Sequence, residues 1–145
     1  MTSRWIVVAH NAGADIFTSE GKGRNPRLWR HVEHGAGRKM ERELVADRPG
    51  RAFDRAGQGR HAMESRHTSR EHESESFARE LGAFLDRGHD RGTYGELVLV
   101  APPGFLGVLR RVLSERVRGC VVATVAKNLA GCDARTVGRV ASAAA

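Results

Sequence analysis

The chain has 145 residues, 40% of them hydrophobic, and a formal net charge of +7. That length suits one domain able to bury most of its apolar surface. The basic balance points to an anionic partner, either nucleic acid or an anionic surface. Two cysteines, Cys120 and Cys132, exclude a disulfide framework, and neither shows the C-x-x-C spacing of a zinc or redox site. No run approaches eighteen apolar residues, so no membrane-spanning helix is expected.

Taken in order, Arg4 to Ala9 (RWIVVA) is a short branched apolar run and reads as a buried strand. It is too brief for a signal-peptide core, which makes the cytoplasm the expected compartment. Asn11-Ala12-Gly13 supplies turn residues, and Ala14 to Thr18 reads as the second strand of a hairpin. After a loop from Gly21 to Pro26, Leu28 to Glu33 alternates as a third, half-buried strand ended by Gly35 and Gly37. Arg38 to Ala46 has the composition of a short helical turn.

The next stretch, residues 47–64 (DRPGRAFDRAGQGRHAME), holds Arg48, Arg51, Arg55 and Arg60 among four glycines and prolines. Phe53 and Met63 are its only sizeable apolar side chains, so it cannot build a core. Interior glycine costs a helix roughly 1 kcal/mol and proline about 3. The expectation is an exposed basic loop carried by something more rigid. Arginine forks match phosphate geometry, and glycines let a backbone come close to a polyanion. Arg48, Arg51, Arg55, Arg60 and His61 are therefore the candidate phosphate or RNA contacts, with Gly57 and Gly59 giving the backbone room. The excess charge is local: residues 20–60 hold eleven basic and six acidic side chains, whereas 61–92 hold five and seven.

Ser65 to Ser76 is nearly all charged residues, serine and histidine, and reads as mobile chain or a solvated helix start. Phe77, Leu81, Phe84 and Leu85 then step at helical spacing, giving one apolar face before Gly88 and Gly92. Leu97 to Ala101 is apolar without alternation, as in a central strand covered on both faces. Pro102-Pro103-Gly104 ends it, and Phe105, Leu106, Leu109, Val112, Leu113 and Val117 predict one amphipathic helix. Cys120 to Ala126 is a further apolar strand, which makes 97–126 a βαβ unit with parallel strands. Asp133 is a suitable N-cap for a terminal helix through Val140, with Ala141 to Ala145 frayed. The fold class is thus α/β: a single domain over 1–145, a mixed sheet of about five strands flanked by helices, with a long basic loop.

Open α/β sheets bind ligands beyond the carboxyl ends of their strands, which here carry His10-Asn11, Pro102 to Gly104 and Lys127-Asn128. Lys127 is placed to meet a phosphate or carboxylate, and an enzyme acting on a small anion would need a pocket near His10, Asn11 and Lys127. No Walker A or G-x-G-x-x-G pattern is present, so no nucleotide cofactor is expected. His31 and His34 fall on opposite faces of a strand, and His61, His67 and His72 lie in polar chain, so no metal site is expected either.

The segments RWIVVAHNAGADIF, ERELVADRPGRAFD with GQGRHAME, and LVLVAPPGFLGVLR followed by VVATVAKNL resemble, in that order, the bacterial host attachment protein family. The chain departs from that family's pattern at two strand ends, with His10-Asn11 where an Asp follows the first strand and Lys127-Asn128 where Lys-Asp is usual. The family is in turn similar to the central domain of archaeal and eukaryotic class-I translation release factors, where a long loop presents Gly-Gly-Gln to the peptidyl-tRNA ester. Ala56-Gly57-Gln58 sits in the corresponding loop, and the resemblance implies that Gln58 positions a hydrolytic water. It implies a cytoplasmic RNA- or ribosome-associated protein. The alternative is a module supporting attachment to host cells, its basic loop binding an acidic protein partner and catalysing nothing.

Overall fold

The computed structural model describes residues 3–10, 13–20, 25–33 and 59–144, with side chains in the last range from residue 72 onward. Five strands form one mixed sheet: β1 (Ser3–His10), β2 (Gly13–Glu20), β3 (Arg27–Glu33), β4 (Glu96–Ala101) and β5 (Val121–Ala126). Their order is β3-β2-β1-β4-β5. The first three strands pair antiparallel in sequence order, and β1–β4 and β4–β5 are parallel. The hairpin expected at the start is present, in register from Ser3↔Glu20 to His10↔Gly13. The α/β class and the parallel pair within the βαβ unit are as the apolar runs require.

Four helices accompany the sheet among the described residues: α1 (Gly59–Asp90), α2 (Pro103–Val112), α3 (Glu115–Cys120) and α4 (Ala134–Ala144). Alternation along the strands sends side chains to two cores. Trp5, Val7, Ala9, Ile16, Leu97 and Leu99 meet Phe77, Leu81 and Leu85 of α1 and Phe105, Leu109 and Val117 of α2 and α3. Ile6, Val8, Phe17, Val98 and Val100 point the other way and are covered by Val137 and Ala141 of α4. β4 is apolar throughout because it is buried on both sides. At Gly88 the last turns of α1 come so close to β1 that an added Cβ would lie 3.0 Å from the Trp5 ring and from Tyr94.

Four boundaries differ from the sequence-based expectation. α1 begins at Gly59, so Gly59 to Glu64 are helical rather than the end of an exposed loop. Gly59 occupies the first helical position, and after it no glycine or proline interrupts the chain until Gly82. Arg60 and His61 are in the first turn, whereas Arg48, Arg51, Arg55, Gly57, Gln58 and the helical turn expected over 38–46 lie outside the described residues.

The single helix expected over 105–117 is two. Leu113 turns to extended backbone, and Ser114 caps α3 by accepting the Val117 N–H at 3.3 Å while donating to Asp86 Oδ1 of α1 at 2.6 Å. A hydroxyl engaged in both bonds compensates for the interrupted ladder while Leu113 stays buried. Cys120 closes α3 instead of opening β5. The terminal helix runs to Ala144, because Ala141 is a core residue rather than a frayed end.

Asp133 caps α4, its Oδ1 accepting the Thr136 N–H at 2.8 Å. That bond, helped by Arg135 and Arg139, holds its carboxyl below the ordinary value of 3.8. A depressed folded-state pKa means that the stabilisation is present above the unfolded value and lost as pH falls through the folded one. Acidification below about pH 4 is expected to fray the first turn of α4, read from backbone 13C shifts of Ala134 to Val137. Asp133→Asn keeps a capping side chain and should abolish that dependence. Shifts in the wild type that ignore pH across this window would refute the assignment.

Candidate nucleic-acid interface

β3 runs in the same direction as β1, β4 and β5, so His10, Glu33, Ala101 and Ala126 all end at one edge of the sheet. α2 starts there, between the ends of β1 and β5, with Pro103 in its first turn and no side-chain cap. Lys127 follows β5 and is exposed as expected, and the neighbouring Asn128 turns inward on the chain to accept the Ala130 N–H at 3.1 Å. His10 is half-buried beside β2.

His31 stands between two carboxylates. Its Nδ1 lies 2.6 Å from Asp15 Oδ1, its cross-strand partner, and its Nε2 lies 3.6 Å from Glu33 Oε1. Gly13 makes room for this: a Cβ there would stand 3.1 Å from the Val32 carbonyl oxygen and 3.3 Å from the imidazole Cε1. The histidine is thus held flat across the sheet by two carboxylates.

The exposed aromatic of this region lies on β3, an edge strand among the described residues. A register shift between Ile16 and Phe17 opposes an extra β3 residue, Trp29, to the β2 ladder. Trp29 lies on the α1 side, its ring 5.0 Å from Trp5 and 6.3 Å from Phe84, yet it stays 45% exposed. The Arg30 guanidinium sits 4.6 Å from the Trp29 ring centroid, a cation–π contact. No described carboxylate pairs with Arg30.

The platform is stiff from below. Trp5 is buried and also meets Phe84 at 5.9 Å and Tyr94 at 4.6 Å. The Tyr94 hydroxyl donates to the Leu85 carbonyl, and burial pushes its pKa well above the usual range, so the donor stays protonated. An aromatic face held from below and flanked by a guanidinium can stack a splayed base and meet its phosphate.

Alternation predicts a half-buried strand over Leu28 to Glu33, whereas β3 is exposed at every position but Val32, because it lies at the edge of the described sheet. The legible signal was the cluster Arg27-Leu28-Trp29-Arg30, basic residues interleaved with an aromatic. Of the contacts expected from the sequence, Lys127 alone has a described side chain. Arg60 and His61 are placed only by backbone, in the first turn of α1, and the others fall within 47–58.

No curated protein matches the chain. The family described as "Protein required for attachment to host cells" matches residues 5–140, reaching from β1 into α4, and the chain belongs to that family.

Proposed function

We propose that this protein binds single-stranded RNA, stacking a base on Trp29 and meeting phosphates with Arg30 and with the arginines that follow in sequence. The observation that carries the reading is an exposed, rigidly backed tryptophan under a guanidinium on an edge strand. Eleven basic residues fall between 20 and 60, so charge and platform share one part of the sequence. With this goes the finer reading of a cytoplasmic, ribosome-associated protein, release-factor-like, in which Gln58 positions water at an ester.

Binding of a short single-stranded RNA should weaken with salt by about 0.7 log unit per log unit for each phosphate contacted, or roughly −3 for four contacts. Arg48→Ala with Arg51→Ala should make the slope shallower, whereas Trp29→Ala should lower affinity by about 1–3 kcal/mol and leave the slope unchanged. Fluorescence anisotropy on a labelled oligonucleotide reads both. Salt-independent binding, or none at low salt, would end this reading.

A second reading is favoured by Leu28, 57% exposed beside Trp29 on β3, an edge strand among the described residues. Such an edge can take a partner protein's strand, as an attachment-supporting module requires. Co-sedimentation with ribosomes separates the two readings from recovery in a washed outer-surface fraction.

A further inference from the structure

On the opposite face of the sheet from Trp29, a groove of about 460 Å³ runs between α4 and the chain entering β3. Its walls are Asn25, Pro26 and Arg27 on one side and Arg135, Gly138, Arg139 and Ser142 on the other. The four α4 residues step by three or four and so share one helix face. Arg27 is 108 positions from Arg135 in the sequence (135 − 27), and the topology alone brings them together.

Among the described residues, the lining includes three arginines, an asparagine and a serine, and no aspartate or glutamate. None of the three arginines forms an ion pair with a described residue. Asp133 feels the charge of Arg135 and Arg139, but its oxygen is taken up by the Thr136 N–H at the head of the helix. Three like charges gathered round one opening, with Asp133 at the helix head as the nearby described carboxylate, repel one another, and an anion relieves that cost.

A second observation lies at the same end of the sheet, on the same face. Arg4 and Ser19 are cross-strand partners, 5% and 6% exposed. Ser19 follows Thr18, which pairs with Arg27, so this row adjoins Pro26 at the mouth of the groove. Arg4 gives Nε and Nη2 to Glu96 Oε1 at 3.2 and 3.0 Å, yet its Nη1 is buried with no partner among the described residues. The Ser19 hydroxyl is likewise buried and unbonded. Buried donors without acceptors are costly in a folded protein and mark places where a ligand or water completes the bonding.

We infer that this groove is a binding site for a phosphate-bearing ligand, gripped by Arg27, Arg135 and Arg139, at the end of the sheet where Arg4 and Ser19 hold buried donors. Guanidinium forks bind phosphate oxygens in pairs, and three converging forks suit a doubly charged or condensed phosphate better than a lone carboxylate. The site is independent of the Trp29 platform, which faces the other core. A terminal phosphate on RNA and a free small phosphate share this chemistry.

The test uses the full-length chain and inorganic pyrophosphate, followed by the arginine Nε–H signals in NMR and by calorimetry. Saturable shifts at the Arg27, Arg135 and Arg139 side chains are expected. Arg135→Gln with Arg139→Gln should weaken pyrophosphate by roughly ten- to a hundredfold while keeping the native amide spectrum. Ser19→Ala should weaken it less, and Trp29→Ala should leave it unchanged, which keeps this result separate from the RNA reading. Equal shifts with sodium chloride at matched ionic strength, or equal pyrophosphate affinity in the double variant, would overturn the site. A 5′-phosphorylated tetraribonucleotide that displaces pyrophosphate where its 5′-hydroxyl counterpart does not assigns the site to an RNA end. If neither displaces pyrophosphate, a free phosphate compound is the ligand class.

Discussion

Trp5→Ala is expected to cost about 3–5 kcal/mol of folding stability, a large share of the roughly 5–15 kcal/mol that a domain of this kind possesses. The indole is buried at the centre of an aromatic group formed with Trp29, Phe84 and Tyr94, and α1 comes within van der Waals contact of it at Gly88. Removing it leaves a cavity that the surrounding rings, each fixed by its own strand or helix, cannot close. For a chain of this length each kcal/mol corresponds to about 2–4 °C in Tm. Thermal and denaturant unfolding should therefore show a large loss. Trp29→Ala, made at an edge position with 45% exposure, should unfold nearly as the wild type does. The contrast separates support from contact: on the RNA-binding reading, Trp5→Ala should weaken binding by loosening the platform, and Trp29→Ala should weaken it directly while leaving stability nearly intact. A Trp5→Ala protein losing less than about 1 kcal/mol would show that the platform is not braced from below.

The second large effect concerns Gln58, on the release-factor reading. Glutamine is no general base at neutral pH, so it acts by positioning water and donating hydrogen bonds as charge develops on the ester. Loss of one such donor typically costs about 10²–10³ in rate. Gln58→Ala is expected to reduce ribosome-dependent peptidyl-tRNA hydrolysis to that extent while leaving RNA affinity nearly intact. Arg48→Ala should show the reverse, weaker binding with the release rate largely retained at saturation. Release and binding are scored separately on stalled ribosome complexes. A wild-type protein that binds these complexes and releases no peptide would discard the catalytic role and leave RNA binding standing.

Much of the architecture is written in local pattern. Leu97 to Ala101 is apolar at every position because β4 is covered on both faces, and no arrangement of the rest of the chain alters that demand. Phe77, Leu81 and Leu85 share one helical face for the same reason, and Asp133 caps α4 through a bond three residues long. What the sequence could not say was decided by contacts between distant residues. The helix expected over 105–117 breaks at Ser114, where Asp86 from another helix accepts a hydrogen bond from the serine hydroxyl. Trp29 reads as one more strand aromatic until the register shift and the edge position leave its ring exposed above Trp5. Arg27, Arg135 and Arg139 are three unremarkable cations in the chain, separated by up to 112 positions (139 − 27). They become one groove only when α4 crosses the sheet beside β3, since electrostatic convergence depends on distance in space, which spacing along the chain does not encode.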